Sequence, residues 1–348
     1  MTKNSRKALL VRVDRMGDLV LTLSSDGLAR SLGFETRWGI PVGLEPVLRA
    51  GDLGDRFFTI PKSFSTANFF ALLREVRALA PDVSIIFHAP AWVAFALLLA
   101  RVPTRAGVLS QWWSFVLYNR GLRQKRSQSL KHESDYNADL VIHALAAKAQ
   151  ADATVSLAKP LKLQPAQTAP ITQNGSGYVV IHPGMGGSAQ NWPLASYEKL
   201  IRAVLDDARH DVFITGTLGD RPWTGPLREA LAQGLSASEQ ARLHWRDQGQ
   251  SLDDLMSLLA GAAWVVAPST GVVHLAASLG VPTVGLYSPV RVQAPVRWGP
   301  RGARAEALAP QVSCPGHHAC LMKECPLYDC MNQITVEQVL SKTRELAK

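Results

Sequence analysis

The sequence predicts an α/β protein built from two Rossmann-like, doubly wound domains. Three observations predict it: apolar runs of strand length alternate with amphipathic stretches of helix length in each half, this pattern dissolves between Ala158 and Ser176, and glycines, hydroxyls and acids collect where strands lead into helices.

In the first half the strand-length runs are Ala8 to Val13, Phe57 to Ile60, Val83 to His88 and Arg105 to Leu109, with a helical stretch from Phe69 to Leu79. In the second half they are Tyr178 to His182, Val212 to Thr215, Trp264 to Ala267 and Thr283 to Tyr287. Helical stretches at Leu194 to Ala208, Leu252 to Gly261 and Val272 to Leu279 lie between them. Residues 158–176, rich in Lys, Pro, Gln, Thr and Gly, have the composition of a linker. The expected division is therefore an N-terminal domain over 1–165, a linker over 166–176, a second domain over 177–334 and a terminal amphipathic helix over 335–348.

At 348 residues, 47% hydrophobic and 19% charged, the chain can bury two cores. Its longest apolar run, Ala89 to Ala100, falls short of the roughly 20 residues a membrane-spanning helix needs. The apolar stretch behind the basic N-terminus is broken by Arg12, Asp14 and Arg15, so no signal-peptide core forms and a cytoplasmic location is expected. A net charge of +9 favours an acidic partner, and with no recognition motif behind it nucleic acid is not expected. The densest cationic stretch is Arg120, Arg123, Lys125, Arg126 and Lys131, preceded by Trp112, Trp113, Phe115 and Tyr118. That combination suits either a lipid–water interface or a solvated face with core aromatics behind it.

Ligands of open α/β sheets bind beyond the carboxyl ends of the strands, which points to the loops Asp14 to Asp18, Pro183 to Asn191, Gly216 to Arg221 and Pro268 to Gly271. After the strand ending at Ala267, Pro268-Ser269-Thr270-Gly271 turns directly into a helix, whose exposed N–H groups and dipole suit a phosphate. Ser269 and Thr270 add hydroxyls, Gly271 permits close approach, and His274 lies one turn further on; a plain helix cap is the alternative. The loop Pro183-Gly184-Met185-Gly186-Gly187-Ser188 also exposes backbone amides, but it has neither the dinucleotide fingerprint nor a P-loop Lys. Asp18 falls at a helix start, as a cap or dipole partner, or as a general base if a sugar hydroxyl comes within reach.

Together these residues resemble glycosyltransferase family 9, the lipopolysaccharide heptosyltransferases, along nearly the whole chain and in order. The family's Arg-x-Gly-Asp start is matched by Arg15 to Asp18, its His-Pro-Gly loop ending in Trp-Pro by His182 to Pro193, and its Gly-Gly-x-x-Glu loop by Gly216 to Asp220. Its Asp-Thr-Gly-x-x-His-Leu-Ala-Ala signature is matched by Ser269 to Ala277, and its tail by Tyr287-Ser288-Pro289 through Arg297-Trp298-Gly299-Pro300.

The resemblance implies a GT-B fold, two Rossmann-like domains facing across a cleft, with a sugar-nucleotide donor on the C-terminal domain and a phosphorylated glycolipid acceptor on the N-terminal one. It implies inverting transfer with no cofactor or metal required for catalysis, at the inner face of the cytoplasmic membrane. Asp18 becomes the base. Thr270, Gly271, Ser269, His274, Gly184 and Gln190 line the donor diphosphate, Asp220 and Gly216 the nucleoside, and Arg15, Arg120, Arg123, Lys125 and Arg126 the acceptor or membrane. In GT-B proteins the terminal helix can cross back to the first domain.

Two positions depart from the family pattern. Its Lys shortly before Trp-Pro is Gln190 here, and its Asp before Thr-Gly is Ser269. The departures leave three readings: a donor other than ADP-heptose, compensation by a cation such as Arg221, Arg291 or Arg297, or a catalytically decayed scaffolding homologue. A GT-B sugar-nucleotide epimerase is a further alternative, which leaves the Arg-x-Gly-Asp start unexplained.

All four cysteines, Cys314, Cys320, Cys325 and Cys330, fall in one stretch that also holds His317 and His318. Their Cys-x5-Cys-x4-Cys-x4-Cys spacing is not that of common zinc knuckles, and reduced packing thiols, a structural zinc and disulfides all stay open. Relatives resemble this tail, which implies a structural role.

Overall fold

The computed structural model describes residues 6–51, 53–145, 164, 177–186 and 190–348. The linker expected at 166–176, and Gly187 and Ser188 of the glycine loop, lie outside the described residues. The chain divides into two compact units, residues 1–126 with 131–161, and residues 127–130 with 162–348.

The first unit holds β1 (Arg6–Arg12), β2 (Phe34–Pro41), β3 (Phe57–Ile60), β4 (Val83–His88), β5 (Thr104–Val108) and β6 (Arg120–Leu122). They form one parallel sheet in the order β3-β2-β1-β4-β5-β6. Its helices are α1 (Met16–Thr22), α2 (Ser24–Ser31), α3 (Glu45–Ala50), α4 (Thr66–Leu79), α5 (Ala91–Leu99), α6 (Ser114–Leu117) and α7 (Glu133–Leu145). The central strand β1 is apolar on both faces because helices cover both, and Leu9, Leu10 and Val11 are fully buried. Each such side chain contributes about 1.5–3 kcal/mol relative to exposure. Ser65 starts α4 by accepting the Asn68 N–H at 3.1 Å, and the left-handed Ala80 ends it. The run Ala89 to Ala100 becomes α5, and among the described residues no helix is long and apolar enough to cross a membrane.

The second unit repeats the plan with β7 (Gly177–Ile181), β8 (His210–Thr215), β9 (Leu243–Arg246), β10 (Val265–Pro268), β11 (Thr283–Leu286) and β12 (Ala305–Leu308). Their order, β12-β11-β10-β7-β8-β9, is that of the first sheet, again all parallel. Its helices are α8 (Leu194–Asp206), α9 (Arg221–Ala232), α10 (Ala237–Ala241), α11 (Leu252–Ala260), α12 (Gly271–Ser278), α13 (Pro295–Trp298) and α14 (Val336–Leu346). The terminal helix α14 belongs to the second unit. It packs on β11 and α8, with Val339 fully buried in the second unit's own core and Lys342 paired to Glu306 at 3.0 Å. Three apolar side chains of α14, Val336, Leu340 and Leu346, join that core, and this burial holds the helix on its own domain.

In both sheets the strand order reverses beside the first strand of the unit, between β1 and β4 and between β7 and β10. Such switch points open a crevice at the strands' carboxyl ends, and the loops singled out in the sequence leave from them.

Candidate functional site

At the first switch point the β1–β4 register slips between Val11 and Arg12, pairing Arg12 with His88. Arg12 is thereby buried at the strand end, and three carboxylates gather on its guanidinium. Nε donates to both oxygens of Asp14 at 2.9 and 3.0 Å, Nη2 donates to Asp18 Oδ1 at 2.6 Å, and Nη1 donates to Glu133 Oε1 at 3.3 Å. Burial works against the Arg12 charge, but Asp14, Asp18 and Glu133 outweigh it and push its pKa up. Removing one partner of so buried an ion pair costs about 3–5 kcal/mol.

Asp18 is the third residue of α1, inside its first turn, with Arg15 as N-cap. Burial of the carboxyl raises its pKa to about 6; Arg12 pulls it down, while Asp14 and Glu133 push it up. Such a group is ionised at neutral pH and still basic enough to take a proton. Arg12 and Glu133 are site residues that the loop Asp14 to Asp18 leaves out. Glu133 enters from α7, and no spacing signal in the sequence ties it to Asp18.

Among the cations expected to face lipid, Arg15, Arg120, Arg123 and Lys125 are exposed. Arg126 is not one of them. Its Nη1 donates to the buried Glu133 and its Nη2 to Asn137 Oδ1 at 3.2 Å, so its charge is spent inside the first unit. The aromatic stretch divides as well: Trp112 is 81% exposed while Tyr118 is buried in the core, and Arg123 lies over the Phe115 ring at 5.1 Å.

At the second switch point the loops after β7 and β10 leave adjacent strands, joined where His182 N–H donates to Val266 O at 2.9 Å. His182 is buried with Nδ1 3.0 Å from Thr215 Oγ1, and burial holds its pKa below the ordinary value. Gly184, Gly216 and Asp220 converge. A Cβ on Gly184 would stand 2.3 Å from the Asp220 carboxyl carbon, and one on Gly216 would stand 3.4 Å from Asp220 Cβ. Asp220 Oδ2 accepts both the backbone N–H and the hydroxyl of Thr217 at 2.8 Å, a capping box that leaves Oδ1 for another donor. Asn191 closes the glycine loop by donating from Nδ2 to Pro183 O at 2.7 Å, and its Oδ1 accepts from Trp192 N at 2.8 Å.

Thr270 is the N-cap of α12, in extended backbone, yet its hydroxyl makes no capping bond. That oxygen is buried without a protein partner, beside a helix N-terminus whose N–H groups are also short of acceptors. Ser269 bonds to the hydroxyl of the buried Tyr287, which itself donates to Trp298 O at 2.6 Å. His274 is buried four residues into the helix.

Gln190 lies among the cysteines: its Oε1 accepts from Cys320 Sγ at 3.5 Å and from Cys330 Sγ at 3.7 Å. All four cysteines are half-buried free thiols, and burial with the other three sulfurs nearby pushes the Cys330 thiol up. Among the described residues no group of three or more His, Cys, Asp or Glu is placed to hold a metal ion.

Comparison with known proteins bears on this arrangement. The model of glycosyltransferase family 9 (heptosyltransferase) matches residues 70–329. A Haemophilus influenzae protein described only as a glycosyltransferase is 26% identical over 84% of this chain and 86% of its own length. Lipopolysaccharide heptosyltransferase 1 of Salmonella typhimurium is 25% identical over 81% of this chain and 88% of its own. The solved structure of the ADP-heptose lipopolysaccharide heptosyltransferase II of E. coli superposes over 98% of both chains with a TM-score of 0.75 at 18% identity, which shows a shared fold.

Proposed function

The chain belongs to glycosyltransferase family 9, the heptosyltransferases, and from that premise we propose an inverting, metal-independent transfer of a sugar from a nucleotide-diphosphate donor to a lipopolysaccharide-core or lipid A type acceptor. The sugar is a heptose or another hexose-like unit. Two separate observations carry the reading: in the first unit a carboxylate poised near pH 6, Asp18, and in the second a buried Thr270 hydroxyl without a protein partner at the N-terminus of α12. Likeness to the lipopolysaccharide heptosyltransferase of Salmonella and the ADP-heptose lipopolysaccharide heptosyltransferase of E. coli supports the acceptor and donor classes.

In this reading Asp18 takes the proton of the acceptor hydroxyl as its oxygen attacks the anomeric carbon. The bond from that carbon to the donor diphosphate breaks with its electron pair leaving on the diphosphate, and the anomeric configuration inverts. The charge that builds there meets the α12 N–H groups, the Thr270 hydroxyl and Gly271, fixed donors that need no reorganisation. Asp220 Oδ1 is left to bond the nucleoside ribose, Gly184 and Gly216 leave the room in which the Asp220 side chain is seated for that role, and His274 supports α12 from within. Gln190 and Ser269 carry no charge toward the donor, which favours a donor sugar other than ADP-heptose. The exposed Trp112, Phe115, Arg120, Arg123 and Lys125 meet the anionic inner face of the cytoplasmic membrane, where such an acceptor resides.

Titration calorimetry against a panel of sugar nucleotides tests the reading: one tight donor, turned over in the presence of EDTA, supports it. No binding across the panel would leave the scaffolding homologue in its place.

A further inference from the structure

We propose that Arg12 and Glu133 are positioning residues for Asp18: Arg12 fixes the direction of its carboxylate, and Glu133, by sharing the charge of Arg12, sets how basic that carboxylate is. The inference rests on Asp18 being the base.

The hydrogen bonds around Asp18 close on themselves. Arg12 Nη2 donates to Asp18 Oδ1 at 2.6 Å and Nη1 donates to Glu133 Oε1 at 3.3 Å. The same Glu133 oxygen accepts from Arg126 Nη1, and Arg126 Nη2 donates to Asn137 Oδ1 at 3.2 Å. Asn137 Nδ2 donates to Thr22 Oγ1 at 3.0 Å, and that hydroxyl donates back to the main-chain oxygen of Asp18 at 2.7 Å. The circuit ties β1 and α1 to α7 and holds Asp18 by both its side chain and its backbone. Glu133, Asn137 and Thr22 are buried, so water does not replace these bonds. Among the described residues only Arg12 hydrogen-bonds the Asp18 carboxylate, and only at Oδ1, which leaves Oδ2 for an acceptor hydroxyl.

The charges facing Asp18 come from every side: Arg12 and Asp14 from the end of β1, Arg15 from the N-cap of α1, and Glu133 from α7. His88 from β4 and Arg126 share the field of Arg12, Asp14 and Glu133. Desolvation raises the Asp18 pKa, Arg12 lowers it and Glu133 raises it, so loss of either partner has an opposite sign. Glu133 also keeps Arg12 from neutralising Asp18 completely, since one guanidinium answers three carboxylates.

The experiment is a carboxyl-carbon NMR titration of selectively labelled, ligand-free full-length chain, wild type against Glu133→Gln, Arg12→Lys and Arg12→Gln, alongside the pH profile of transfer with the donor found in the panel. Glu133→Gln lowers the Asp18 midpoint by about one pH unit, and Arg12→Gln raises it by about 1–3 units. Arg12→Lys keeps the charge but not the planar fork, so it holds the midpoint near that of wild type and lowers kcat with the donor KM unchanged. If Arg12→Gln fails to fold, the near-isosteric Glu133→Gln and the charge-keeping Arg12→Lys decide alone. Midpoints that stay at the wild-type value in Glu133→Gln, or that move the same way in both neutral variants, overturn the proposal. Full turnover by Asp18→Asn would instead overturn the reading of Asp18 as base, while leaving the titration shifts in place.

Discussion

The Asp220 carboxylate fills the space that a side chain on residue 184 would need: its carboxyl carbon and Oδ1 both lie 2.3 Å from the ideal Cβ position of Gly184. The carboxylate has nowhere to retreat, because its other oxygen is held by two donors of Thr217 at 2.8 Å. Gly184 is thus required by contact rather than by backbone angle.

Gly184→Ala therefore overpacks the loop and destabilises the chain by about 1–3 kcal/mol. Urea unfolding measures it, and the same variant weakens donor binding because the β7 loop is displaced. If the loop were loose enough to yield, the midpoint would stay where it is.

Asp220→Ala removes the capping box in front of α9 and costs about 0.5–2 kcal/mol. In the double variant with Gly184→Ala the two costs are not additive, since the group that opposes the new methyl is gone. A double-mutant cycle reading plain additivity would deny the contact.

Two titrating groups give stability opposite slopes with pH. Burial lowers the His182 pKa below its ordinary 6.5, so the unfolded chain takes up a proton that the folded chain resists, and this stability is lost as pH falls below that value. Asp18 is raised from 3.8 to about 6, so its contribution is whole below 3.8 and is lost as pH rises through about 6. His182→Gln flattens the decline in melting temperature between about pH 7 and pH 5, and Asp18→Asn removes the loss between about pH 4 and pH 6. Parallel curves for wild type and variants would refute both.

Much of the fold lies open in the sequence where burial is two-sided. The inner strand β4 begins and ends where the apolar run Val83–His88 does. β2 is hidden because Glu35 and Arg37 interrupt its apolar positions, and β6 because three residues at a sheet edge carry too little pattern. At the site, the loops could be placed because strand-to-helix turns have their own chemistry. The partners of Asp18 could not: Glu133 stands 121 residues from Arg12 along the chain, and the charge of Arg126 reads as surface until α7 is packed beside it.

The exposed aromatic and basic stretch has a solution test. Arg123→Glu reduces sedimentation with vesicles containing anionic phospholipid and leaves binding to neutral vesicles unchanged. Equal loss on both would assign the surface to something other than an anionic membrane.

The central claim is that Asp18 accepts the acceptor proton while the second unit holds the donor. Its most direct measurement is transfer and donor binding by Asp18→Asn side by side. Turnover falls by about 10²–10⁴-fold while calorimetry returns the wild-type donor affinity. Wild-type turnover, or loss of donor affinity in step with activity, would contradict it.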